Sequence, residues 1–251
     1  MIELKNITVT LNNKTILDTL SCSVNKGDFI TIVGVNGSGK STLFNTIAGK
    51  ILPLQGQILF DKNDVTTMNE LQRASLIGRL FQNISLSSVS SLSVKENLAL
   101  AMQRGRRSQL RNGLAKFPSL LVAHAAQVLD IDLEKLLNQP MGSLSGGQRQ
   151  LVALLMATIV PPRILLLDEP SAALDPVAAT KLLVYAKKLI KAHSITAMLI
   201  THDPHIAIAL GNKLWVIEQG RITKQFDQEA KQKLSPAQLI GHVNYQELAQ
   251  T

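Results

Sequence analysis

The chain has 251 residues, 45% hydrophobic and 18% charged, which is ample material for a packed core and rules out a disordered, highly charged polymer. Its 26 Lys and Arg outnumber 18 Asp and Glu to leave +8, so an acidic solvating chain is excluded and an anionic partner is indicated: nucleic acid, lipid headgroups or phosphorylated small molecules. Cys22 is the only cysteine, which excludes an internal disulfide and a cysteine-rich metal site and suits a reducing cytosol. The start, Met1-Ile2-Glu3-Leu4-Lys5, has no apolar signal core, and no apolar run reaches membrane-spanning length, so a soluble protein is expected.

Ile2 to Val9 alternates apolar and polar residues with period two, as a half-buried strand does, and Ser21 to Val24 follows the turn-rich Asn12-Asn13-Lys14. Asn25-Lys26-Gly27-Asp28 predicts a hairpin turn into Phe29-Ile30-Thr31-Ile32-Val33, a nearly continuous apolar run expected to be buried on both faces. A Gly-rich loop and a helix over Ser41 to Ala48 come next, then a short strand at Gln57 to Phe60. From about Glu70 to Gly142 the pattern is mostly helical, broken by a Ser-rich stretch from Ser85 to Ser93. Beyond Gly142 a helix runs to Pro161-Pro162, a strand covers Ile164 to Leu167, a helix about Ala178 to Ala192, and a strand Thr196 to Ile200. Val216 to Ile222 predicts a closing hairpin. Strands alternating with helices predict a mostly parallel α/β sheet, with the helical middle inserted into one domain.

Gly34-Val35-Asn36-Gly37-Ser38-Gly39-Lys40-Ser41 fits G-x-x-x-x-G-K-[ST] at every specified position, directly after a predicted strand and before a helix. Gly34, Gly37 and Gly39 permit backbone angles that turn successive N–H groups, with those of Asn36 and Ser38, onto phosphate oxygens, and the helix adds the positive end of its dipole. Lys40 reaches the β- and γ-phosphates, the Ser41 hydroxyl suits Mg²⁺, and Thr42 supports the phosphate contacts. A nucleoside triphosphate site is expected. Ile164-Leu165-Leu166-Leu167 ends in Asp168-Glu169, placing two acids at the carboxyl end of a buried strand, where ligands bind in open α/β sheets. Asp168 is expected to hold Mg²⁺ and Glu169 to polarise an attacking water. Leu144-Ser145-Gly146-Gly147-Gln148 contains a capping box from Ser145 to Gln148, yet two glycines weaken a first turn that a mere cap would strengthen. They let a phosphate or another backbone approach the helix end closely.

Taken together with Gln82 after Phe81, Ser171-Ala172-Ala173-Leu174-Asp175 and His202 after Thr201, these motifs in this order resemble the ATP-binding subunits of ABC transporters. The resemblance covers the chain to about Ile222. It implies an α/β fold, a P-loop NTPase (RecA-like) core of mostly parallel sheet with an N-terminal antiparallel β subdomain. Residues 1–251 would form one ABC ATPase domain with a helical insertion at about 83–145 and a short extension at about 226–251. It implies ATP and Mg²⁺ as ligands and a head-to-tail homodimer or paired cassette. Each nucleotide would lie between one phosphate loop and the partner copy's Leu144 to Gln148. In that frame Glu169 resembles the general base, His202 the switch histidine at the γ-phosphate, and Asp175 the residue that communicates across the dimer. Gln82 would sense Mg²⁺ and water and begin the segment that meets the membrane subunit.

Family members usually place an aromatic residue near the end of the first strand to stack on adenine. Leu11 stands there in this chain and covers the base without a π face. The expected role is an ATPase driving solute uptake, in the manner of importer cassettes paired with branched-chain-type permeases for amino acids. It would work through a separate permease, with an extracytoplasmic solute-binding protein, at the cytoplasmic face of the plasma membrane. Two alternatives are lipid or lipoprotein export and, further off, a non-transport ATPase on nucleic acid; nucleic acid is not the expected partner. Between Arg79 and Leu129, seven basic residues (Arg79, Lys95, Arg104, Arg106, Arg107, Arg111, Lys116) oppose one acid, Glu96. Because the insertion of the resembled family faces the permease, Arg104-Gly105-Arg106-Arg107 is expected near an anionic membrane surface or an acidic permease loop. Cys22, His124, His193, His205, His242, Trp215 and Phe226 carry no functional pattern and are expected to be structural or surface residues.

Overall fold

The apolar alternation at the start becomes strand β1 (Ile2–Leu11) in the computed structural model, which describes residues 1–83, 86–105, 119–129 and 131–243. The apolar phase slips between Leu4 and Ile7, and a bulge with Asn6 at φ 50° absorbs the slip so that Ile7 and Val9 still face inward. Asn12 and Asn13, at φ 48° and 60°, close the tight hairpin to β2 (Lys14–Val24). Next in the chain are β3 (Phe29–Val33), α1 (Lys40–Ala48), β4 (Gln55–Phe60), β5 (Asn63–Asp64) and the single turn α2 (Glu70–Arg73). Up to this point, and again from Thr196 on, the chain belongs to one compact unit; Ala74–Ile195 form a second.

The second unit holds β6 (Ile77–Leu80), α3 (Val94–Ala101), α4 (Ser119–Leu129), α5 (Glu134–Leu137), α6 (Gly146–Thr158), β7 (Ile164–Asp168) and α7 (Pro176–Ala192). The chain then returns to the first through β8 (Thr196–Ile200), α8 (Pro204–Ala209), β9 (Lys213–Glu218), β10 (Arg221–Phe226), α9 (Gln228–Gln232) and α10 (Pro236–His242).

In the first unit β2, β1, β4 and β5 make an antiparallel sheet in that order, and β3 lies between β8 and β9, parallel to both. All five residues of β3 are buried, as a strand covered on both faces requires. The predicted hairpin at Asn25–Asp28 is not one: β2 and β3 pair in different sheets. Asp28 N–H donates to the Asn25 carbonyl and its carboxylate accepts from Asn25 N–H, a β-turn that hands the chain from one sheet to the other. The closing hairpin is β9–β10, turned by Gln219 and Gly220 at φ 47° and 78°.

In the second unit, Ile77–Leu80 falls within the stretch expected to be mostly helical, yet it is a strand parallel to β7, with Leu80 beside Leu167. Gly78 carries the reason, because a Cβ there would collide with the Ala157 carbonyl oxygen. Only glycine lets β6 lie this close to α6. Parallel strands, flanking helices and the antiparallel N-terminal sheet make the fold α/β, as expected. Among the described residues no helix is long and apolar enough to cross a membrane.

Candidate functional site

In the first unit the phosphate loop leaves the carboxyl end of β3. A Cβ on Gly34 would strike the Ile217 carbonyl oxygen, so glycine is required for the loop to pass β9. Gly39, at φ 103°, is the N-cap of α1, and its carbonyl accepts from Leu43 N–H at 2.8 Å. Gly37, at φ 77°, faces open space, with nothing within 4 Å of where a Cβ would sit. No acid lies in the first turn of α1, so the positive end of its dipole is uncancelled there. Lys40, 5% exposed, folds back to donate at 2.8 Å to the carbonyls of both Gly34 and Val35. The Ser38 hydroxyl is buried and finds no hydrogen-bond partner among the described residues. A buried, unsatisfied hydroxyl beside a curled ammonium and an uncancelled helix end fits a polyanionic ligand that supplies acceptors.

His202 follows β8, whose pairing with β3 is prolonged by Thr201 N–H donating to the Ile32 carbonyl at 3.2 Å. It therefore leaves the same sheet edge as the phosphate loop, and its side chain is exposed. Leu11 ends β1 at 39% exposure, apolar surface of the kind that can cover a base.

In the second unit β6 and β7 run parallel, so Gln82 and the pair Asp168-Glu169 emerge at one edge. Glu169 is held at φ 47°, a left-handed backbone uncommon for a residue with a Cβ, as found where a side chain is aimed at the expense of strain. Arg79 lies 3.2 Å from the Asp168 carboxylate and 4.4 Å over the Phe81 ring. Gln150, 1% exposed, donates from Nε2 to the carbonyls of Phe81 and Gln82 at 3.3 and 3.4 Å, which fixes the backbone at Gln82. Sequence reasoning singled out neither Arg79's contact nor Gln150.

The same unit brings the starts of α6 and α7 side by side. Ser145 Oγ accepts from Gln148 N–H at 3.3 Å, and Gln148 Oε1 accepts from Ser145 N–H at 2.9 Å, completing the expected capping box. Asp175 caps α7, accepting from the N–H groups of Val177 and Ala178 at 3.0 Å. A Cβ on Gly147 would lie only 3.0 Å from the Ala178 Cβ, whereas one on Gly146 would meet nothing nearer than Leu174 Cδ2 at 3.6 Å. A cleft of about 320 Å³ lies here, with Ser145, Gly147, Gln148, Asp175, Lys181 and Tyr185 among its walls. Leu144 is buried, so its part in the motif is to seat the turn while Ser145 and Gln148 face outward.

The basic segment is corrected in part. Arg104 donates to the carbonyls of Ala157 and Val160 at 2.9 and 2.6 Å, and burial lowers its pKa. Its guanidinium closes the C-terminal end of α6 and is not presented to a lipid surface. Arg106, Arg107, Arg111 and Lys116 lie outside the described residues.

Ser41 in the first unit offers a hydroxyl, and Gln82 and Asp168 at one edge of the second offer an amide and a carboxylate, oxygen donors of the kind a hard cation such as Mg²⁺ takes. Among the described residues no group of three or more His, Cys, Asp and Glu side chains could cage a metal alone. A cation that draws ligands from substrate phosphates suits that composition.

Comparison with known proteins agrees with this chemistry. The sequence pattern of the family described as ABC transporter matches residues 17–172. A tyrosine transport ATP-binding protein of Clostridioides difficile is 33% identical over 98% of this chain and 99% of its own length. A macrolide export ATP-binding/permease protein of Campylobacter jejuni is 36% identical over 94% of this chain, but the match spans only 36% of that longer protein. Among solved structures, a nucleotide-free ATP-binding cassette from an ABC transporter superposes with a TM-score of 0.77 at 30% identity, covering 92% of each chain. A dimeric cassette in a post-hydrolysis state with ADP and Pi gives 0.74 at 26% identity, covering 91% of this chain and 99% of that one.

Proposed function

Because this chain belongs to the ABC transporter family and is one of its ATPase subunits, we propose that two copies close around two ATP molecules and drive solute uptake through a separate permease. The observation that carries the dimer reading is the start of α6. Its capping box is complete, Ser145 and Gln148 are exposed, Gly146 has no close cover, and the exposed Asp175 stands beside it. A lone hydrolase needs no second glycine-lined helix end; a dimer does, because each phosphate chain can then be gripped from both sides.

In this reading the N–H groups of Gly34 to Ser41 and the Lys40 ammonium hold the phosphates of one ATP, and Leu11 covers its base. Thr42 supports the loop. Ser41, Gln82 and Asp168 would hold Mg²⁺, which would supply positive charge against that of the phosphates. Glu169 accepts a proton from the attacking water, His202 fixes the γ-phosphate, and Ser145 with Gly146, Gly147 and Gln148 of the partner copy completes the grip. Asp175 passes the state of one site to the other. The chain acts as a single cassette at the cytoplasmic face of the membrane, with a solute-binding protein delivering cargo. An amino acid is the proposed solute, supported by the tyrosine transport relative matched along nearly all of both chains.

Glu169→Gln tests the mechanism. It should abolish ATP turnover and give an ATP-dependent dimer by light scattering, and near-normal hydrolysis would overturn the assignment of the base. Co-purification with the permease, followed by solute-stimulated ATPase assay, tests uptake. Stimulation by aromatic or other amino acids is expected, and none by any amino acid would overturn that choice of solute.

A further inference from the structure

Arg79 occupies an improbable place. Its neighbours Ile77 and Leu80 are buried, and β6 lies against β7 in a parallel register that sets Arg79 beside Leu166. Side chains two apart share a face of a strand, so Asp168, two residues past Leu166, comes to the same face as Arg79. Phe81, two residues past Arg79, does likewise. The outcome is a guanidinium held between a carboxylate at 3.2 Å and an aromatic ring at 4.4 Å, with the two charged side chains only 9% and 14% exposed. The ring limits how far the guanidinium can swing away.

We infer that Arg79 is a positioning residue that serves as a resident counter-cation for Asp168, making divalent-metal binding conditional on nucleotide. The inference rests on Asp168 being the metal-facing carboxylate. Arg79 balances the charge of Asp168, so a divalent cation that approaches without nucleotide meets a fixed positive charge and gains little. A triphosphate would add several negative charges and tip the local potential, so that Asp168 would become available to a metal while still paired with Arg79. The pair thereby guards the site against metal loading before substrate arrives. Arg79 also keeps the poorly exposed carboxylate oriented, since a charge so nearly buried is costly without a partner.

Direct metal titration tests this, using Mn²⁺ followed by electron paramagnetic resonance, with and without a non-hydrolysable ATP analogue. The proposal expects Arg79→Gln, which removes the charge but retains a donor, to raise Mn²⁺ affinity of the nucleotide-free chain about tenfold or more. The gain should be smaller with the analogue present, and Arg79→Lys, which keeps the charge, should stay within about threefold of the parent in both states. Nucleotide-free affinity of Arg79→Gln within about twofold of the parent, or weakening in both variants, overturns the proposal. Should Arg79→Gln fail to fold in metal-free buffer, millimolar Mg²⁺ must restore its circular dichroism, and failure to do so also overturns it. Asp168→Asn separates the two readings. Loss of Mn²⁺ from its nucleotide complex supports the assignment of Asp168 whatever Arg79 does, and undiminished binding removes that assignment first.

Discussion

The Arg73 guanidinium donates to the carbonyl oxygen of Thr46 at 2.8 Å, reaching back across 27 residues to the last turn of α1. It also donates to Ile47, Val65 and Thr66 carbonyls, is fully buried, and has its pKa pushed down to about 10 by that burial. The helix that begins at the phosphate loop is thus tied at its far end by a cation, which also complements the negative end of the dipole. Arg73→Met should lower stability by about 3 kcal/mol, because several buried carbonyls lose charged donors at once. Urea unfolding would show this as a reduced midpoint with an unchanged slope.

Gly146→Ala separates folding from partner recognition. An added Cβ meets only Leu174 at an ordinary 3.6 Å, and alanine favours the helix over glycine by roughly 1 kcal/mol. The variant should therefore melt no lower than the parent, while ATP-dependent dimerisation falls at least about tenfold because the helix end is now covered. Calorimetry and light scattering on one preparation would check both.

Arg104→Ala should cost about 1–2 kcal/mol by leaving the Ala157 and Val160 carbonyls without their donor. Recovery of the assembled complex with membranes should not change through this residue. Thermal melting together with vesicle flotation would distinguish the helix cap from a lipid contact.

Lys231 makes a pH prediction. Buried at 2% exposure, its ammonium donates to Thr31 Oγ1 and to the carbonyls of Leu210, Gly211 and Lys213. Burial pushes its pKa down from 10.5 to about 8. Between those values the unfolded chain carries more protons on this residue than the folded one, so its contribution makes stability rise with pH across that window. The burial penalty is fully present below the folded value. Lys231→Met removes this dependence. The stability of the parent relative to the variant should therefore increase from about pH 8 to about pH 10, read from urea midpoints at each pH.

What the sequence made legible was what repeats a local chemical rule. The phosphate loop, the Asp168-Glu169 strand end, the Ser145–Gln148 box and the Gln219-Gly220 hairpin each depend on residues within a few positions of one another. The buried cations Arg73, Arg79, Arg104 and Lys231 were not legible in the same way, because each answers carbonyls or a carboxylate brought near by folding. Arg104 looked like part of a basic surface run for that reason. The strand at Ile77–Leu80 escaped for a related one: four residues are too short to show a period, and only the neighbouring β7 reveals the pairing. Likewise, Asn25–Asp28 has the composition of a hairpin turn, and nothing local tells which sheet the next strand will join.

Glu169 stands at φ 47°, where glycine would rest more easily than any residue with a side chain. A population of variants screened for heat tolerance alone would therefore be drawn toward glycine or asparagine at this position and would lose the carboxylate with it. With Glu169 as the proposed base, durability and turnover would be opposed at one backbone torsion, where the chain keeps the less restful choice.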